Sequence, residues 1–207
     1  MGQENPSTLE SKGMLIGIQP VVGKSICINS SFPYPHEPYW TFGGELTYQW
    51  ILHHYFGLSA AIRVQQETIY VEGGNNSGWI AYKNNYLHKR QILALFFNPQ
   101  LRLKGFFVNL GIGFHIYFKG HRLQDGSEKQ PFQDILAQHQ VNLVVTASLG
   151  YEFNITKNHV WFLVPSVHVD YHLFNTFRID ETYTQLEIHG NLLNITASLG
   201  IRYRWKR

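Results

Sequence analysis

The chain has one cysteine, Cys27, so no internal disulfide can staple it and its redox compartment cannot be read from cysteine pairing. No stretch of 18 consecutive apolar residues occurs, which excludes an ordinary membrane-spanning helix. Charge is scarce: Asp, Glu, Lys and Arg make up 15% of the 207 residues, against about 25% in an average soluble domain. No run of five or more Lys/Arg is present, so nucleic acid is not expected as a partner despite a net charge of +3. The start, Met1-Gly2-Gln3-Glu4-Asn5-Pro6, lacks the basic and apolar regions of a signal peptide. Taken with the strands described next, this predicts a mature form without its leader.

What is present is aromatic and periodic. Phe, Tyr and Trp make up 15% of the chain, and hydrophobic residues 44%, which excludes a disordered protein. After a polar tail over residues 1–12, the period is two and the helical period is nearly absent. Between 106 and 118, Phe106, Val108, Leu110, Ile112, Phe114, Ile116 and Phe118 share one face, while Asn109, Gly111, Gly113 and His115 lie on the other. The same division recurs over 141–153, 162–173 and 193–205, and the word Thr-Ala-Ser-Leu-Gly occurs at both 146–150 and 196–200. Weaker alternation covers 13–28, 42–52, 58–71 and 85–97. In the last of these the phase is ambiguous; Leu93, Leu95 and Phe97 are taken for the apolar face. The pattern predicts about eight strands. Short connections near 53–57, 98–103 and 154–159, with Gly57, Pro99 and Asn158 as turn residues, alternate with long ones at 29–41, 72–84, 120–138 and 175–187. An up-and-down meander then collects every long loop at one end and both termini at the other.

Two barrels share such a meander: a soluble lipocalin-like one with an apolar inside, and a membrane one with the polarity inverted. The apolar faces of the last four strands carry no Asp, Glu, Lys or Arg, whereas the opposite faces carry Glu152, Asp170, Arg202 and Arg204 together with the glycines. An interior of eight strands is just wide enough for side chains, so small and mutually paired residues belong there. Tyr48, Trp50, Tyr151, Phe153, Tyr203 and Trp205 gather near the short-turn ends, where an interfacial girdle would sit. The expectation is an all-β fold: an eight-stranded antiparallel up-and-down transmembrane β-barrel over residues 13–207.

Several segments carry a family resemblance: Gly43-Gly44-Glu45-Leu46-Thr47-Tyr48, His54-Tyr55-Phe56-Gly57-Leu58-Ser59, Phe107-Val108-Asn109-Leu110-Gly111-Ile112-Gly113 and Ala197-Ser198-Leu199-Gly200-Ile201-Arg202-Tyr203-Arg204-Trp205. Over residues 13–205 the chain resembles the small porin-like outer-membrane barrels of the OmpA, OmpX and OmpW type, and most of all the PorT-like barrel domains. The resemblance implies a Gram-negative outer membrane, periplasmic termini, loops at the cell surface, and the barrel-assembly machinery and lipopolysaccharide as partners. Members usually end on an aromatic residue; here Trp205 is followed by Lys206-Arg207.

The expected lumen polar network is Glu45, Arg63, Glu67, Glu152, His168, Asp170, Arg202 and Arg204, because buried charges must pair. Ser166-x-His168-x-Asp170 has the residue types of a hydrolytic triad. Alternate residues of a strand stand roughly 6.5–7 Å apart, however, beyond hydrogen-bond reach, so no catalytic site is expected. His168 and His172, four apart on one strand, are separated by roughly 13 Å, too far to share a metal. Neither a metal nor another cofactor is expected.

Surface-binding candidates are Phe32, Tyr34, Tyr39 and Trp40 on a loop stiffened by Pro33, Pro35 and Pro38, and the basic set Lys83, Lys89, Arg90, Lys119, His121 and Arg122 near the long-loop rim. The expected role is structural or surface-binding, through adhesion, ligand or lipid contact by the long loops, without an open channel and without enzymatic activity. The alternatives are an outer-membrane lipid-modifying enzyme, a small-solute pore and a soluble lipocalin-like binder.

Overall fold

A computed structural model describes residues 13–28, 38–71, 86–124, 130–131, 141–174, 177–180 and 187–205. The polar tail over 1–12 and most of each long connection fall outside these residues. Eight long strands carry the fold: β1 (Gly13–Ile28), β2 (Tyr39–His53), β3 (Phe56–Val71), β4 (Tyr86–Leu103), β5 (Phe106–Gln124), β6 (Val141–Tyr151), β7 (Trp161–His172) and β8 (Glu187–Trp205). Short strands at Gln130–Pro131, Phe153–Asn154 and Phe177–Asp180 extend the ladders of β5, β7 and β8 at their ends. Each long strand pairs antiparallel with the next, and β8 returns to β1 from Met14↔Trp205 to Ile28↔Asn191. The sheet thus closes into an eight-stranded barrel that has no free edge.

The period-two pattern is realised with the apolar face outward. Ile18, Phe42, Leu46, Val64, Phe97, Leu110, Ile112 and Leu199 are all exposed, while Gln49, Arg63, Gln65, Asp170, Asn194 and Arg202 are buried inside. Among the described residues, the outward positions between the short turns and the level of Lys24, Lys89 and Lys119 carry no Asp, Glu, Lys or Arg. Water would not tolerate so continuous an apolar belt, and the hydrocarbon core of a bilayer requires it. No helix among the described residues is long and apolar enough to cross a membrane; these strands cross it instead. Aromatic pairs ring the short-turn end: Tyr48 and Trp50 lie edge to face at 4.4 Å, Phe106 and Tyr151 at 4.5 Å, and Trp161 and Tyr203 are tilted at 5.0 Å.

The glycines of the inner face make room for bulk. Register sets Gly17 opposite Arg202, Gly113 opposite Phe96 and Gly150 opposite Phe107. A Cβ on Gly17 would stand 2.6 Å from the Arg202 stem, one on Gly113 would stand 2.5 Å from the Phe96 ring, and one on Gly150 would collide with Phe107. Small residues on one strand thereby let a large one on the next lie across a narrow lumen.

Three details differ from the sequence expectation. Pro99 is not at a turn: β4 continues to Leu103, and the reversal is at Lys104 and Gly105, with φ of 47° and 90°. Two successive positive φ angles suit the twist of a two-residue hairpin. Pro99 instead lies on the outer face of β4, opposite Leu58 of β3, where the ladder to β5 lapses between Phe97↔Ile112 and Gln100↔Asn109, the interruption that a residue without an N–H is suited to. Second, β5 runs to Gln124 and β8 begins at Glu187, so several of the long connections are shorter than their sequence bounds. Third, Arg90 is not a rim charge. It is 2% exposed and points into the lumen with Ile92, Ala94 and Phe96, because taking Leu93, Leu95 and Phe97 as the outward set of β4 puts every even position inside.

Candidate functional site

Among the described residues the barrel interior holds a dense set of charges, and strand register builds it. Glu45 on β2 stands directly opposite Arg63 on β3, Glu67 on β3 opposite Arg90 on β4, and Thr146 on β6 opposite Asp170 on β7. Cross-strand neighbours on one face are about 4.5–5.5 Å apart at Cβ, so each pair closes without strain.

Three tiers result. In the middle tier the Arg63 guanidinium bridges two carboxylates, Glu45 and Asp170, both at 2.6 Å, and Thr146 donates its hydroxyl to Asp170 at 2.7 Å. Gln19 donates to Glu45 at 2.6 Å and lies 3.3 Å from His168 Nε2. Nearer the short turns, Glu152 accepts from Arg102 at 2.5 Å and from Arg202 at 3.0 Å. Nearer the long loops, Arg90 donates to Glu67 at 2.7 Å. Four arginines lie over inward-facing rings: Arg63 on Phe96, Arg90 on Tyr117, Arg202 on Phe107 and Arg204 on Phe162, at 4.5–4.8 Å. A stack of this kind contributes about 0.5–2 kcal/mol, and it explains large aromatics on a face otherwise polar.

Of the expected network, Glu45, Arg63, Glu67, Glu152, His168, Asp170 and Arg202 are buried in the lumen, and Arg204 is half-buried at its short-turn mouth. Arg90 and Arg102 are the ionic members that sequence reading missed. Its place beside a long connection puts Arg90 near the rim in the sequence, and the apparent stop at Pro99 hides Arg102.

The Ser166, His168 and Asp170 set behaves differently from its backbone spacing. Ser166 Oγ is 2.9 Å from His168 Nε2, within hydrogen-bond reach, because the two tips converge although their Cα atoms are two residues apart. Ser198, opposite Ser166 on β8, joins them at 2.6 Å from Ser166 and 3.3 Å from His168. Asp170 does not complete a triad; its oxygens are taken by Arg63 and Thr146. Beside His168 lies a cavity of about 20 Å³, lined also by Glu45, Arg63, Ser148 and Arg202. That is space on the scale of one water, far too little for an acyl chain.

A recess of about 700 Å³ opens at the short-turn end among Arg102, Glu152, Tyr151, Phe162, His159 and Arg204. At the other end, Glu67, His115 and His172 come from three different strands to bring one ligand atom each within 4.8 Å of the others. The separation of His168 from His172 did not bear on this cluster, since its partners lie across the lumen.

Among the surface candidates, Phe32, Tyr34 and Lys83 lie outside the described residues, and of Arg122 only the backbone is described, paired with His88 and Gln130. Tyr39 is half-buried at the start of β2 and Trp40 is exposed, with Lys24 Nζ 5.4 Å over its ring. Lys119 is exposed and Lys89 half-buried, at the long-loop ends of adjacent strands β5 and β4.

No protein-family model matches the chain, and no curated protein matches it in sequence. Solved structures do. OprG of Pseudomonas aeruginosa aligns over 96% of this chain and 99% of its own with a TM-score of 0.53 at 10% identity. The attachment invasion locus protein Ail of Yersinia pestis aligns over 94% and 100% at 0.51 and 14% identity. A major outer membrane protein of Thermus thermophilus aligns over 93% and 99%, again at 0.51 and 14%. Essentially the whole length of each of these chains is matched, so the likeness concerns the entire barrel rather than a shared hairpin. Apolar outside, ion-paired inside and closed strand to strand, the chain has the fold of the small bacterial outer-membrane β-barrels.

Proposed function

We propose that the protein sits in a bacterial outer membrane as a closed barrel with periplasmic termini, and that its role is structural or surface-binding, exercised at the long-loop end. The observation that carries this reading is the packed middle tier. Arg63, Glu45, Asp170, Gln19 and His168 span the lumen in one hydrogen-bonded set and leave a cavity of only about 20 Å³ among them. A solute cannot pass without breaking buried ion pairs. The long-loop rim offers the contrasting chemistry: Lys24 over the exposed Trp40 ring, and Lys89 and Lys119 on neighbouring strands. These cations stand where the belt of apolar side chains ends, the level of phosphate groups in a lipopolysaccharide leaflet. The same cations would suit a sulfated glycan; Ail of Yersinia pestis was captured with the heparin analogue sucrose octasulfate.

The test is made on detergent-refolded protein returned to a bilayer. Planar membranes containing it should show no unit conductance steps, and steady steps from well-folded protein would replace this reading with a pore. Retention on immobilised lipopolysaccharide or heparin should weaken with salt and fall several-fold when Lys24, Lys89 and Lys119 are changed together to Ala. Unchanged retention would remove the rim from the account. A change in lipid A mass in cells expressing the protein, lost in Ser166→Ala, would favour the enzyme instead.

A further inference from the structure

We propose that Glu67, His115 and His172 form a binding site for a first-row divalent transition-metal ion in the upper lumen, with Zn²⁺ the best-suited occupant. The three residues come from β3, β5 and β7, and their side chains are all 0% exposed. Glu67 Oε1 stands 3.9 Å from His115 Nδ1 and 3.9 Å from His172 Nε2. In a tetrahedral zinc site with bonds of about 2.0–2.1 Å, neighbouring ligand atoms are about 3.3 Å apart. Closing by roughly half an ångström from Glu67 to each imidazole, and by up to about 1.5 Å between the two imidazoles, whose ligand atoms lie within 4.8 Å of each other, would seat an ion through side-chain rotation.

The independent observation is His115 itself. Neither of its ring nitrogens has a hydrogen-bond partner, although both are fully buried. A buried histidine that serves packing alone normally satisfies at least one nitrogen. The His115 ring instead lies edge to face with His172 at 4.6 Å and with Phe96 at 5.7 Å, its nitrogens directed to no protein acceptor or donor. A metal ion would supply the partner that is missing.

The surroundings are those of supported ligands. Arg90 holds Glu67 Oε2 at 2.7 Å, which leaves Oε1 as the oxygen facing the two imidazoles. Gln65 donates to that Oε1 at 3.0 Å, and Asn194 Nδ2 also contacts it. Tyr117 OH lies 3.2 Å from His172 Nδ1 and so fixes the ring with Nε2 towards Glu67, the arrangement by which outer groups orient metal-bound imidazoles. Asn194 Oδ1 is buried without a partner, and Asn194 Nδ2 lies 3.3 Å from His172 Nε2. Rotation of that amide would offer the oxygen as a fourth ligand. The other charges acting on His115 are Asp170 and Arg63. Among the described residues, the carboxylate of the site, Glu67, faces Arg90, while Asp170 and Glu45 face Arg63 one tier below. Two imidazoles with one carboxylate favour Zn²⁺ and its neighbours over Mg²⁺ or Ca²⁺, which take oxygen ligands.

Tag-free protein, stripped with chelator and refolded in detergent, is equilibrated with ZnCl₂ or CoCl₂. The expected result is one Zn²⁺ per barrel and a visible Co²⁺ spectrum of four-coordinate intensity. In His115→Phe, affinity should fall about a hundredfold or more, while the mobility difference between boiled and unboiled samples is kept. His53→Ala/His54→Ala, at the exposed β2–β3 turn, should bind as the parent does. Absence of stoichiometric binding by the parent, or equal affinity in His115→Phe, overturns the site. Should His115→Phe not fold, the ring ¹⁵N resonances of the parent decide. His115 and His172 must shift on Zn²⁺ addition, and shifts confined to other histidines would overturn the site.

Discussion

A single guanidinium, that of Arg63, holds together the two carboxylates of the middle tier. It is 1% exposed, donates to Glu45 and Asp170, and lies over Phe96. Burying three charges is costly, and the arrangement is sustained only while all are present. Arg63→Ala leaves two buried carboxylates without their shared cation and should lower stability by about 3–5 kcal/mol, read as a fall in the urea midpoint of protein folded into lipid vesicles. Adding Glu45→Gln and Asp170→Asn should recover much of that loss, since the uncompensated charges are then gone. Failure of the triple variant to recover would mean that Arg63 acts through packing on Phe96 rather than through charge. The same residue scale explains why Ser166 and His168 meet while Asp170 stays apart. Side chains on one face of a strand lean, and two rotatable tips close a gap that their Cα atoms do not. Asp170, however, has a stronger partner in a full positive charge.

At the scale of the strand, register controls what each position can hold. Gly150 on β6 faces Phe107 on β5, whose ring lies against it and is 1% exposed. Gly150→Val would drive a side chain into that ring, with the Pro165 carbonyl of β7 a further 2.8 Å contact on the other side. A loss of about 1–3 kcal/mol and a lower melting temperature of the unboiled band are expected. Unaltered stability would show that Phe107 has somewhere else to go. Element boundaries were the least legible part of the chain. Alternation in β4 fades where Phe96 and Phe97 are large on both faces, and Pro99 looks like a stop. It is an outward residue at a gap in the ladder, and the real reversal, Lys104-Gly105, lacks the Asn-Gly or Asp-Gly signature that marks such turns in sequence. Missing those last strand residues is what hid Arg102.

For the whole molecule, the inverted polarity carries one quantitative consequence. Ile112 is 51% exposed in mid-strand on the outer face of β5. Ile112→Arg should cost about 2–4 kcal/mol when the barrel is folded in lipid, measured against parent protein in the same vesicles. A soluble barrel would accept that arginine on its surface with little change, so a null result would mean the apolar belt does not meet lipid. The same reasoning assigns the lumen its job. On that reading, the arginines, their carboxylates and the rings beneath them take up the little space that eight strands enclose. On the function proposed above, the barrel is a platform between two membrane faces and its activity belongs to what the ends carry.

Sequence alone indicated about eight strands, the meander and the direction of the clearly alternating faces, because a period of two is local: each residue's side is settled by its neighbours in the chain. It also identified most of the lumen charges, since an apolar belt leaves them nowhere else to point. It could not decide which inward groups touch. That depends on the stagger and tilt of the closed sheet, set only when β8 meets β1 and all eight ladders are satisfied together. Arg90 facing Glu67, Ser166 reaching His168, and Glu67, His115 and His172 converging from β3, β5 and β7 are all decided there. Contacts across a lumen join residues far apart in sequence, so no spacing rule along the chain records them.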